Sequence, residues 1–132
     1  MDRTIKIVAA VFALVVIACL VVFFPGASAP SEASSGNSPI YYFYGDGCPH
    51  CHNIEPFINN ITQKYPDAHI QVLEVWYNQT NQVIYNQVNA AAGLSSPPGV
   101  PEVVIGRTVL VGERDIPAKL EGLVQDYLKK KP

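Results

Sequence analysis

The chain has 132 residues, 48% of them apolar and 15% charged, with a formal net charge of −2. That length holds one domain of ordinary size. Nine Lys and Arg against eleven Asp and Glu leave no basic field, which excludes the usual electrostatic basis for nucleic-acid binding. Three cysteines are too few for a disulfide-dense fold.

Residues 7–24 read IVAAVFALVVIACLVVFF, without a charge or a strong turn former. At ~1.5 Å per residue this run just spans a hydrocarbon core of ~30 Å. It is also longer than the roughly 7 to 15 apolar residues of a cleavable signal. Residues 1–24 are therefore expected to form a cytoplasmic tip and a single transmembrane anchor. Ala27-Ser28-Ala29 has the small-x-small pattern of a cleavage site, with Pro30 opposing the protease, so a cleaved, secreted form is the alternative. Cys19, in VIAC, loosely resembles a lipidation box, but the residues after it stay apolar. A small lipid-facing side chain without a redox role is expected there. Arg3 and Lys6 precede the span, and Glu32 is the sole charge in residues 25–39. This bias places the N-terminus in the cytoplasm and the rest outside. Residues 25–39 (PGASAPSEASSGNSP) are a small, polar, proline-punctuated linker. Residues 40–132 then make one small extracytoplasmic domain.

Residues 40–44 (IYYFY) predict a strand buried on both faces. Gly45-Asp46-Gly47 makes a turn, and Pro49 suits the first position of the helix that follows. Cys51, Ile54, Ile58, Ile61 and Tyr65, with Phe57 beside them, form one apolar helix face, and Pro56 is expected to kink it. A second strand is predicted over 69–77 and a second helix over 80–92, stopped by Gly93, with Val83, Ile84, Val88 and Ala91 inward. Residues 95–99 (SSPPG) cannot be helical. Strands over 102–105 and 108–111 flank Gly106-Arg107, a pair suited to a II′ turn. Asp115 is expected to cap the last helix, whose stripe is Ile116, Leu120, Leu123, Val124, Tyr127 and Leu128. The lysines at 129–131 complement its C-terminal dipole. The order βαβαββα, with a parallel right-handed unit first and an antiparallel hairpin last, gives an α/β sandwich around a mixed four-stranded sheet. Two N-x-T sequences, at Asn60 and Asn78, would permit glycosylation in that location, and chance alone also accounts for them.

The chemistry concentrates at Cys48-Pro49-His50-Cys51-His52. Cysteines at i and i+3 opening a helix can close a disulfide. The first sulfur faces unsatisfied N–H groups and the positive helix end, which favour its thiolate and lower it to the range ~3.5–7.5. His50 adds a hydrogen bond or a positive charge near it. Cys48 is then the nucleophile that exchanges with a partner, and Cys51, on the apolar face, resolves the mixed disulfide. Three other readings compete. A structural disulfide closing so short a loop stabilises little. C-x-x-C-H is also the attachment signal for c-type haem, although the sequence offers no clear second axial ligand beyond His69. A metal site from Cys48, Cys51, His50 and His52 would ask four ligands within five residues to converge on one centre.

The ordered set of features resembles the thioredoxin superfamily over essentially all of residues 39–129. Those features are an apolar strand ending in CPHC, Pro56 five residues after the second cysteine, Val100-Pro101 before a hairpin, the Gly106 turn and Gly112 after the last strand. CPHC is similar to the active site of DsbA-type oxidases, and VPEVVIGRTVLVGERD to the glutaredoxin hairpin. The resemblance implies a minimal thioredoxin-like fold and a redox-active Cys48–Cys51 disulfide. It implies that Pro101 is a cis-proline against that disulfide, that Pro49, Val100 and Pro101 meet substrate, and that Val100 offers its backbone to an extended segment. The chain departs from the family in three ways. Gly47 stands where thioredoxins carry Trp, the DsbA helical insertion has no room, and the buried acid of the first strand is missing. Glu74 is the candidate to replace that acid in handling the Cys51 proton, or else it points to water.

The function expected from these residues is thiol–disulfide exchange with protein thiols and disulfides outside the cytoplasm, recycled by a membrane redox partner, with no cofactor. Stabilising the Cys48 thiolate makes the disulfide more oxidising, so the lean is to a dithiol oxidase. A reductase serving cytochrome c maturation is the alternative within the class. A non-catalytic haem or metal carrier is the alternative outside it.

Overall fold

The computed structural model describes residues 38–131. The apolar run 7–24, Cys19 and the linker up to residue 37 lie outside the described residues. Among the described residues no helix is long and apolar enough to cross a membrane.

Within the described residues four strands and three α-helices follow one another as β1 (Ile40–Tyr44), α1 (Pro49–Lys64), β2 (Gln71–Glu74), α2 (Gln79–Ala92), β3 (Glu102–Ile105), β4 (Thr108–Val111) and α3 (Gly112–Lys130). The sheet order is β2-β1-β3-β4. β1 pairs parallel with β2 and antiparallel with β3, and β3 pairs antiparallel with β4. This is a small α/β fold with a mixed four-stranded sheet, compatible with a thioredoxin-like fold.

Alternation along β1 explains why both faces of the sheet are covered. Ile40 and Tyr42 join Ile54, Ile58 and Ile61 of α1 and Ile116, Leu120 and Val124 of α3 in the larger core. Phe43 turns the other way and meets Val75 and Val104, with Tyr85 and Val88 of α2 packed around them. Each fully buried aliphatic side chain of this kind is worth about 1.5–3 kcal/mol, so these two clusters fix β1 against α1, whose N-terminal turn carries the cysteines.

Several boundaries differ from the sequence reading, each for a local reason. β2 ends at Glu74 and not at Tyr77. Val75 still donates to the Tyr44 carbonyl at 2.8 Å, but the Glu74 carboxylate then gathers the N–H groups of Trp76, Tyr77 and Asn78 and bends the chain into a turn. At its other end, a 3₁₀ turn over Pro66–Ala68 and a left-handed His69 (φ 48°) delay the strand to Gln71. Asn78 caps α2 by accepting from the Asn81 N–H at 3.1 Å, and Gly93 stops that helix at φ 96°. Ile84 and Val88 face inward as expected, whereas Val83 and Ala91 are exposed and Tyr85, Asn89 and Ala92 take the inner positions. α1 continues through Pro56. Asp115 does not cap α3, which already starts at Gly112, where the N–H donates to the Pro101 carbonyl at 2.8 Å. Asp115 instead pairs with Lys119 one turn on, at 3.2 Å. The hairpin turn has Gly106 at φ 59° with no positive φ at Arg107, the combination a II′ turn requires.

Candidate active site

β1 delivers the chain to Gly45-Asp46-Gly47 at the end of the sheet, and the turn closes with the Cys48 N–H donating to the Gly45 carbonyl at 3.1 Å. Cys48 is the N-cap of α1, in an extended conformation, with Pro49 in the first turn and no acidic side chain there to offset the helix dipole. The Cys51 N–H donates to the Cys48 Sγ at 3.2 Å. The sulfur therefore occupies the place an Asp or Ser oxygen takes at an ordinary N-cap. Cys48 and Cys51 are joined by a disulfide, with their Cα atoms 5.3 Å apart.

Burial does not distinguish the two cysteines, which are 4% and 5% exposed. The expected asymmetry of exposure is replaced by one of bonding, because Cys48 holds the capping position and Cys51 lies a turn inside.

Facing Cys48 is the segment between α2 and β3. The Val100–Pro101 peptide bond is cis, Pro101 is buried, and the Val100 carbonyl oxygen lies 4.0 Å from the Cys48 Sγ. Pro49 is exposed beside it. His50 projects from α1 with its Nδ1 3.1 Å from Glu113 Oε2, and Asn53 Nδ2 donates to the same oxygen at 2.9 Å. These two hydrogen bonds hold the Glu113 carboxyl below the usual carboxylate range. Glu113 thus joins His50 to the first turn of α3. Sequence reasoning missed it, since its only signal was a charge at a helix start.

Glu74 ends β2, ahead of an exposed turn. Its carboxylate accepts from the backbone N–H of Asp46, Trp76, Tyr77 and Asn78 at 2.6–3.3 Å, fastening the turn before Cys48 to the β2–α2 turn. Desolvation raises this carboxyl, but the four backbone donors together outweigh it and bring it below its ordinary value. Its described hydrogen bonds include none to Cys51.

Among the described residues the buried acid is Glu102, directly after Pro101 and fully inaccessible. It accepts from Asn89 Nδ2 at 2.8 Å and from the Tyr85 hydroxyl at 3.0 Å, and that hydroxyl accepts from the Gly99 N–H at 3.2 Å. Burial pushes the Glu102 carboxyl up, partly offset by Asn89 and Tyr85. Glu102 was legible only as a carboxylate in an apolar strand, the same signal that drew attention to Glu74. It faces α2, with Val104, on the side of the sheet opposite α1.

His52 is exposed and its Nδ1 lies 3.2 Å from Glu55 of the same helix. Among the described residues no group of three or more His, Cys, Asp or Glu side chains is placed to hold a metal ion. No protein-family description and no curated protein matches the chain. A C-x-x-C cysteine pair in this α/β fold is compatible with thiol–disulfide exchange.

Proposed function

We propose that the chain is a thiol–disulfide oxidoreductase that oxidises cysteine pairs of exported proteins, held to a membrane by residues 7–24 with its cysteine domain outside the cytoplasm. The observation that carries the reading is the Cys48 Sγ at the N-cap of α1, accepting the Cys51 N–H at 3.2 Å. A substrate thiolate attacks the Cys48 Sγ, a new S–S bond forms there, and the old bond breaks with its electron pair going to Cys51. A second substrate thiolate then attacks the substrate sulfur of the mixed disulfide and releases Cys48 as thiolate. Substrate gives up two electrons and the cysteine pair takes them, to be reoxidised by a membrane redox partner.

The sulfur leaves readily in the second step because the helix end and the N–H bond favour its anion, which also favours the reduced enzyme. Val100 offers its backbone to an extended substrate segment as an added strand, a role supported by the 4.0 Å approach of its carbonyl to Cys48. The tether and the outside location rest on the apolar run and its flanking charges.

Oxidative refolding of a reduced disulfide protein, with glutathione disulfide as terminal oxidant, tests this. The full chain accelerates refolding, Cys48→Ser abolishes the acceleration, and Cys51→Ser accumulates mixed disulfides through Cys48. Full activity in Cys48→Ser would overturn the reading.

A further inference from the structure

Beside the disulfide, on the side away from Pro101, lies a groove of about 690 Å³ between α1 and the outer half of the sheet. Cys48 and Cys51 close one end of it. Its floor carries Tyr42 and Tyr44, whose rings stack with centroids 6.0 Å apart and planes 12° apart. Tyr42 is only 4% exposed, and among the described residues its hydroxyl has no hydrogen-bond partner. Asp46 and Glu55 stand on the rim, and among the described residues no lysine or arginine lines the groove. Burial and then the Glu55 charge push the Tyr42 phenol up to about 12, so it stays protonated at neutral pH. His52 is the remaining titratable side chain on that rim, 3.2 Å from Glu55. β2 is the edge strand, so the groove is open on its outer side.

We infer that this groove receives an arginine or lysine side chain of the substrate segment while that segment's cysteine engages Cys48. The match is chemical. The half-buried Tyr44 ring offers a face to a cation, a guanidinium finds carboxylates at the rim, and the Tyr42 hydroxyl accepts one of its N–H groups. The inference rests on the proposed exchange reaction and adds to it a substrate class, cysteines with a basic neighbour.

The test uses the oxidised full chain and three otherwise identical single-cysteine peptides carrying Arg, Gln or Glu three residues from the cysteine. Each peptide thiolate attacks Cys48 and releases the Cys51 thiolate, so no further oxidant is needed. Rates are divided by those of the same peptides with glutathione disulfide, which removes the effect of the neighbour on the thiol itself. The normalised Arg rate is expected to exceed the Glu rate about two- to fivefold, the size of a partly exposed charge contact. That ratio is expected to shrink in high salt and to fall toward one in a Glu55→Gln, Asp46→Asn double variant. Equal normalised rates, or a ratio unchanged in the double variant, would overturn the groove assignment and leave exchange intact. No reaction with any of the three peptides would overturn both.

Discussion

The indole of Trp76 lies over Gly45, three residues ahead of Cys48, so closely that a Cβ on Gly45 would collide with the ring. The constraint is space, because Gly45 is not among the residues with positive φ. Trp76 is also the chain's single tryptophan, and at 46% exposure it reports on the turn that leads into the cysteines. Gly45→Ala is expected to swing the ring into water, red-shift its emission and cost about 1 kcal/mol, the low end for overpacking, because the ring has solvent to move into. Fluorescence-monitored urea unfolding of the two proteins checks both. An unchanged spectrum and midpoint would show that the contact does not hold the turn.

Glu74 makes the same turn sensitive to acid. Its carboxyl sits below the ordinary value when folded, so the stability it contributes is present above the ordinary carboxylate range. That contribution is lost as pH falls through the lowered folded value. Amide protection at Asp46, Trp76, Tyr77 and Asn78 should therefore drop on acidification, before the core strands lose theirs. Hydrogen exchange followed by NMR reads these amides individually. In Glu74→Gln their protection should be low at every pH.

Glu102 behaves with the opposite sign. Its carboxyl is raised in the folded state, so its contribution is fully present below the unfolded value and declines as pH rises through the folded one. Tyr85→Phe removes a donor to Glu102 and leaves the Gly99 N–H without its acceptor. The expected cost is about 1–3 kcal/mol. The loss should grow as pH rises through the raised folded value, because the ionised form is the one that relies most on a donor. Thermal unfolding across a pH series measures it. Equal losses would mean that Glu102 is not ionised against Tyr85.

His50 is held by Glu113 at 3.1 Å and projects from the turn that the disulfide closes. The sequence leads one to expect that the ring favours the Cys48 thiolate, and on that expectation replacing it by Ser withdraws the support. The potential of the pair should move to a more reducing value by about 30 mV, equivalent to ~1.4 kcal/mol. Equilibration against glutathione buffers gives the number. A shift in the oxidising direction would contradict the role given to the ring.

Much of this architecture is written in local pattern. β1, the start of α1 at Pro49, the stop at Gly93 and both strands of the hairpin follow from β-branched runs, proline at a helix start and glycine at turns. Those signals act within a few residues. The failures share a different cause. Tyr77 left the second strand because the Glu74 side chain, three residues back, captured its backbone. Asp115 lost the cap because the Pro101 carbonyl, distant in sequence, already takes the Gly112 N–H. Val83 and Ala91 gave way to Tyr85 and Asn89 because a buried carboxylate on β3 needs donors from α2. Within the site, the cysteines and the X-Pro bond were legible as motifs, whereas Glu113, Glu102 and Trp76 acquire their places only from contacts across the fold.

The electrostatic inequality of two thiols one helical turn apart carries the whole account, and pH-dependent alkylation of the reduced chain with iodoacetamide, resolved by mass spectrometry, measures it directly. Cys48 is expected to react with a midpoint within ~3.5–7.5, and Cys51 to react far more slowly at every pH. Equal rates for both, each rising only near the free-thiol value of ~8.5, would contradict it.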